Sequence, residues 1–414
     1  MYVTGAQWVL PGLYRDHFPL LHPDKDGKMV HYLDNSATTQ KPEILIQATS
    51  FFYQNFNANV HRGVYGLAAQ ATQAYENVRA AVARFIKAPQ AQEIIFTSGA
   101  TESLNMVANW MGQALLKKGD EVIVSMMEHH ANLVPWQQQC ARSQAKMVAW
   151  LPNEKGELDL DRLQSLITKE TRVIAVTHVS NVLGTVNPIR EICALAHQHN
   201  ILVVVDGSQA VAHIPVNVED MDCDFYCFSA HKMFGPTGLG ILYGKKDLLN
   251  QVTPFRFGGE MVDIVTFEES SFMPLPARLE AGTPNMAGVY GMGATLNFLK
   301  SVTYDAIYLA EQKLMHHMFQ LLERMEGIKL LGQASERVPV FSLLFEDMHP
   351  GDVAQVLDQM NVAVRAGYHC AMPLHRYYQA GNGSLRVSLA FYNNQEDLEA
   401  LEEGLKKARK LLVR

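Results

Sequence analysis

Between residues 93 and 243 the chain alternates short apolar runs with amphipathic segments. Residues 93–97 (Glu-Ile-Ile-Phe-Thr) read as a strand, 101–116 as a helix, and 121–125 as a strand again. Residues 173–177 and 201–205 are continuous apolar runs, the pattern of strands buried on both faces. Between them, residues 187–199 have helical spacing with Pro188 near the start, where its missing N–H costs nothing. Strand, helix, strand in repetition predicts an α/β fold with a mostly parallel sheet covered on both faces.

The character changes after residue 287. Ile307, Ala310, Leu314, Met318, Leu321 and Met325 recur at helical spacing over 305–325. Two apolar runs follow, at 338–345 and 385–389. A last helix over 395–412 places Leu398, Leu401, Leu405, Ala408 and Leu411 on one face. The expected division is a large α/β domain at 25–290 and a small α+β domain formed by 1–24 and 291–414. The apolar stripes read as core.

Composition narrows the function. The chain has 414 residues, 48% of them hydrophobic, and a formal net charge of -7. That balance gives no basic surplus for nucleic acid. The longest apolar runs are strand-sized, well short of the roughly 18 residues of a membrane span. Residues 1–10 lack the basic and apolar regions of a signal peptide, so the expected location is the cytoplasm. Five cysteines, Cys140, Cys193, Cys223, Cys227 and Cys370, argue against a disulfide framework. Cys223, Phe225 and Cys227 alternate as if on one strand face, which favours packing over metal binding.

Polar groups mark four strand ends, where open α/β sheets bind ligands. Phe96-Thr97-Ser98-Gly99-Ala100-Thr101-Glu102 joins a strand to a helix N-terminus, a setting for phosphate or simply a cap. Glu128-His129-His130-Ala131-Asn132 offers one acid/base or stacking imidazole. Side chains one residue apart diverge, so a shared metal is not expected and no metal site is assigned. Asp206 ends the strongest apolar run, where an acid needs a partner such as a protonated ring nitrogen, or serves as a helix cap. Ser229-Ala230-His231-Lys232 precedes a Gly-Pro turn. A lysine desolvated there becomes a better nucleophile, although an exposed loop lysine is the commoner fate. Phosphate donors, a ring, an acid and an amine together match the needs of pyridoxal 5'-phosphate (PLP).

These residues resemble those of a known family. Tyr32-Leu33-Asp34-Asn35-Ser36-Ala37-Thr38, Asn59-Val60-His61-Arg62-Gly63 and Glu128-His129-His130-Ala131-Asn132 are followed in order by Asn181, Asp206-Gly-Ser-Gln209-Ala and Ser229-Ala-His231-Lys232. Glu280-Ala-Gly-Thr283-Pro-Asn, Arg365-Ala-Gly-Tyr-His-Cys370-Ala-Met-Pro and Leu385-Arg386-Val-Ser-Leu complete the set. The chain thus resembles the SUF-type cysteine desulfurases and selenocysteine lyases, class V aminotransferase-fold enzymes of PLP fold type I, over nearly its whole length.

The resemblance implies specific roles. Lys232 would hold PLP covalently, Asp206 would meet the ring nitrogen, Gln209 the phenolic oxygen, and His129 the ring face. Thr101, Ser229 and His231 would hold the phosphate, joined by Thr283 from the second subunit of a homodimer. Asn181 and Arg386 would bind the substrate carboxylate, with Arg365 and His61 nearby. Cys370 would accept sulfur from L-cysteine, yielding alanine and a persulfide for a SUF-type acceptor protein in iron–sulfur cluster assembly. The alternative substrate is L-selenocysteine. Cations near Cys370 would favour its thiolate, and Arg365 and His369 are candidates. Two departures stand out: Ala100 replaces a threonine of some relatives, and Tyr368 stands where a histidine or other polar residue is expected. Transamination or kynurenine cleavage would leave Cys370 without a task, and a non-catalytic scaffold would leave Lys232 without one.

Overall fold

The long apolar runs pair edge to edge because only a doubly covered sheet buries both their faces. In the computed structural model, which describes Gly12 and residues 14–413, the main sheet has seven strands. In chain order they are β1 (Ile94–Thr97), β2 (Glu121–Ser125), β3 (Lys146–Trp150), β4 (Thr171–Thr177), β5 (Leu202–Asp206), β6 (Phe225–Ser229) and β7 (Gly240–Gly244). Their spatial order is β1-β7-β6-β5-β4-β2-β3. Only β7 runs antiparallel to its neighbours.

Alternate residues of the central strands feed two separate layers. Ile174, Val176, Val203 and Val205 join one apolar cluster, while Val173, Ala175 and Val204 join another, all at 0% exposure. Each fully buried Val or Ile contributes about 1.5–3 kcal/mol. The helix Ala100–Ala114 covers the second layer through Leu104, Val107 and Trp110. Helices Gly66–Ile86, Ile189–His197 and Met286–Val302 cover the first.

The cysteine pattern needs a correction. Phe225 and Cys227 share a face, but Cys223 packs in the opposite layer. The strand begins at Phe225, and Asp222 with φ 52° turns the chain just before it, so the alternation does not reach Cys223.

A second, four-stranded antiparallel sheet contains β8 (Ile328–Leu330), β9 (Val340–Phe345), β10 (Arg365–Gly367) and β11 (Ser384–Ser388), ordered β8-β9-β11-β10. Helices Tyr304–Glu323, Pro350–Asp358 and Gln395–Leu412 cover it through Leu314, Leu357 and Leu401. Asn394 caps the last helix and Asp397 answers it in a capping box, as the polar start of that segment favours. Early chain returns to this region. His31–Tyr32 pairs in parallel with Val362–Ala363, and Asp34 bridges Ser388. The helix Met286–Val302 runs through position 290 and packs on the helices Glu43–Asn55 and Gly66–Ile86. Among the described residues, no helix is long and apolar enough to cross a membrane. Residues 1–10, read above for targeting, lie outside the described part.

Candidate active site

The C-terminal ends of β1, β2, β5 and β6 open on one cleft, and β10 and β11 close it from the other sheet. Thr101, His129, Asn181, Asp206, Ser229, His231, Lys232, Arg365 and Arg386 all wall this cleft, together with Ser36, Ala37, Ser208 and His369. Nine expected residues, scattered from 101 to 386, therefore meet in one place.

Lys232 sits in a 3₁₀ turn directly after β6, half-buried on the cleft wall. Burial pulls its ammonium pKa down, while Asp206 and the Cys370 thiolate work against that shift. The amine thus stands within electrostatic reach of both groups. Asp206 is 5% exposed, and its Oδ1 accepts the Ser208 N–H at 3.0 Å. The ladder between β4 and β5 continues through Thr177 and Asp206, which fixes the carboxylate at the sheet edge.

His129 follows β2. Its Nδ1 accepts the Ala131 N–H at 3.0 Å, so the ring proton resides on Nε2. Burial, reinforced by Lys232, lowers its pKa to about 4, and the ring is neutral at pH 7. Beneath this loop the buried Glu128 accepts from Thr177 N–H (2.7 Å), from Asn132 (2.6 Å) and from the Ser125 hydroxyl. Burial pushes the Glu128 carboxyl up to about 8.

The N-terminus of Ala100–Ala114 opens on the cleft through Ala100 and Thr101, a setting that favours an anion. Ala100 N–H donates to Ser229 Oγ at 2.8 Å, which ties that helix end to the end of β6. The residue that departs from the family pattern therefore still holds the Ser229 hydroxyl in position. His231 is held by Thr38 Oγ1 at 3.2 Å, and burial with Lys232 and Lys41 lowers its pKa to about 4.

Arg386 is the buried cation of the opposite wall, at 1% exposure. Its Nη2 meets Asp34 Oδ1 at 2.7 Å and its Nη1 donates to Asn181 O at 3.2 Å, while buried Nε has no partner. An unpaired buried guanidinium nitrogen is costly and suits an anionic ligand. The Asn181 amide donates to His369 O at 2.8 Å.

Cys370 is half-buried beside the cleft, and the other four cysteines are buried. Its loop is clasped from across the molecule: His130 N–H donates to Cys370 O at 2.7 Å, and His130 Nε2 accepts Met372 N–H at 3.3 Å. The adjacent histidines thus divide, His129 facing the cleft and His130 holding the cysteine loop. Of the two candidate cations, His369 is not one. Burial and the neighbouring Arg386 push its pKa down to about 2, which leaves it neutral. Tyr368, the other departure, donates its hydroxyl to the Gly381 carbonyl.

Three expected residues lie elsewhere. Gln209 is buried next to the cleft and donates to Ser36 O at 2.8 Å. Thr283 lines a separate pocket with Ser98, Glu102 and Arg256. His61, at φ 68°, bonds Glu76 Oε1 at 3.0 Å in a surface pocket shared with Arg62 and Glu260. Sequence reasoning missed Asp34 as the partner of Arg386 and missed His130 as the clasp. Both lay inside motifs already singled out, but neither contact has a local signature.

The comparisons with known proteins place the chain in a family. The aminotransferase class-V family model matches residues 31–401. A probable cysteine desulfurase of Halalkalibacterium halodurans is 42% identical over 393 residues, covering 95% of this chain and 96% of its own. A cysteine desulfurase of Shigella flexneri is 45% identical over 399 residues, covering 96% and 98%. The crystal structure of an Escherichia coli cysteine desulfurase superposes with a TM-score of 0.88 at 38% identity, covering 97% of this chain and 98% of its own. The residues fit PLP: hydroxyls and a helix N-terminus for phosphate, a neutral ring, a buried carboxylate and a desolvated amine. The unpaired Arg386 Nε suits the carboxylate of an amino-acid substrate.

Proposed function

We propose, from the premise that this chain belongs to the aminotransferase class-V family and is a PLP-dependent cysteine desulfurase, that it stores the sulfur as a persulfide on Cys370 and passes it to an acceptor protein of the SUF type for iron–sulfur cluster assembly. The observation that carries this reading is the position of Cys370, half-buried and within electrostatic reach of Lys232 and Arg386.

Bound PLP supplies the electron sink that lets bonds next to the amino group break. The chain supplies the rest. Lys232 holds the cofactor covalently and, once released, moves a proton at Nζ, a task its lowered pKa suits. Asp206 would offer its carboxylate to the ring nitrogen, and the neutral His129, with its proton on Nε2, would serve the ring face. Thr101, Ser229 and His231 take the phosphate. Arg386 and Asn181 orient the substrate carboxylate, with Arg365 close by. The Cys370 thiolate attacks the substrate sulfur. An S–S bond forms, the C–S bond breaks, and the β-carbon keeps the electron pair and takes a proton to give alanine. No external oxidant or reductant enters this exchange.

Gln209 as partner of the phenolic oxygen, Thr283 acting from the second subunit of a homodimer, and His61 near the site belong to the same proposal. So do a cytoplasmic location and the division at residue 290, which would run within the helix Met286–Val302. Peptide mapping by mass spectrometry after exposure to L-cysteine tests the reading. One added sulfur on the Cys370 peptide supports it; added sulfur only on another cysteine overturns it.

A further inference from the structure

His369 (φ 49°) and Cys370 (φ 57°) are both left-handed. That conformation is strained for a non-glycine residue and persists only where surrounding contacts enforce it. The contacts are identifiable. His369 Nε2 lies 3.1 Å from both the carbonyl O and the Oγ of Ser384. A carbonyl only accepts, so the His369 proton is on Nε2. Likewise, His375 Nδ1 is 3.0 Å from Ala371 O and must donate to it. His375 Nε2 is then an acceptor, 3.0 Å from Ser384 Oγ. Ser384 therefore accepts from His369 and donates to His375.

This circuit leaves the backbone at residue 369, passes through 384 and 375, and returns at 371. It brackets Cys370 on both sides. His369 is 4% exposed, and Ser384 and His375 are 0% exposed, so water does not compete for these bonds. Burial disfavours the charged form of both rings. Tyr368 packs edge-on against His375 at 5.6 Å.

We propose that His369, Ser384 and His375 are positioning residues that hold the Cys370 thiol where it attacks the substrate sulfur, acting on sulfur transfer and not on cofactor or substrate binding. The inference rests on Cys370 being the sulfur acceptor.

The test uses PLP-loaded wild type, Ser384→Ala and Ser384→Thr. Measurements are PLP absorbance, KM and kcat for persulfide formation from L-cysteine, and the rate of Cys370 alkylation by iodoacetamide. Ser384→Ala is expected to keep its PLP absorbance and its KM, and to lose about tenfold in kcat, the scale of a small misplacement of a reacting group. Its Cys370 should alkylate about threefold faster, because the turn opens more often. Ser384→Thr, which keeps the hydroxyl, should restore both. Unchanged kcat and alkylation in Ser384→Ala overturn the proposal. So does loss of PLP loading, or a KM that rises as kcat falls, since the role would then be general. Alkylation needs no turnover. If Cys370 is not the acceptor, persulfide fails to map to it while the alkylation change still reports on the turn.

Discussion

The backbone N–H of His130 donates to the carbonyl of Cys370 at 2.7 Å. That bond joins the loop after β2 to the loop after β10, two segments 240 positions apart in the chain. It sets the distance between the sheet that carries Lys232 and the turn that carries the thiol. His130→Ala keeps this main-chain bond but loses the acceptor for Met372 N–H. We expect a stability loss of about 1 kcal/mol, the net value of one hydrogen bond, measured by urea denaturation. Persulfide formation should fall only modestly.

Lys232→Ala removes the amine proposed to anchor the cofactor and to move the proton. Alanine production from L-cysteine should fall at least about a thousandfold, within the range for a missing acid/base group. Normal turnover in that variant, followed by amino-acid analysis, contradicts the site assignment.

Arg386 and Asp34 form an ion pair whose side chains are 2% and 21% exposed. Asp34→Asn leaves the guanidinium without its carboxylate. Removing one partner of a fully buried pair costs about 3–5 kcal/mol, and partial exposure of Asp34 reduces this to about 2 kcal/mol. The shift in urea midpoint measures it. With Arg386 in its proposed role, the substrate carboxylate replaces part of the lost charge, and L-cysteine should stabilise Asp34→Asn more than wild type.

Much of this site was legible because its chemistry lies at strand ends. Asp206 ends a run of valines, Ser229 ends an aromatic strand, and the lysine follows within three residues. Continuous apolar runs mark buried strands, so β4 and β5 fell within a residue or two of their sequence ranges. β3 was harder: Lys146, Met147 and Ala149 are exposed at the sheet edge, so no apolar period announces it. The neutrality of His369 was invisible because it depends on Arg386 and on burial across two chain segments. The face of Cys223 depended on one left-handed residue, Asp222, whose conformation a hydrophobic pattern does not encode.

Acid should weaken the cofactor-free fold. His129, His178 and His231 have pKa values lowered to about 4, and His369 to about 2, each chiefly by burial. Unfolded histidines take protons near pH 6.5, so below that pH the unfolded state binds more protons and stability drops. Glu128, raised to about 8, acts in the opposite sense, since the folded state keeps its proton as pH rises from about 4.5 to 8. Glu311, also raised by burial, and His197, raised by Asp224, act with Glu128, while His375 is lowered like the other four rings. Five lowered histidines outweigh these three groups, and the urea midpoint should fall from pH 6.5 to 4. A flat midpoint over that window means the rings are not held neutral.

Whether Cys370 takes the sulfur is decided by alanine production from wild type and Cys370→Ser, both loaded with PLP and supplied with L-cysteine and a reductant. Matching PLP absorbance, steady alanine from wild type, and loss of both alanine turnover and protein persulfide in Cys370→Ser are expected. Alanine and persulfide produced at the wild-type rate without the Cys370 thiol would contradict that role.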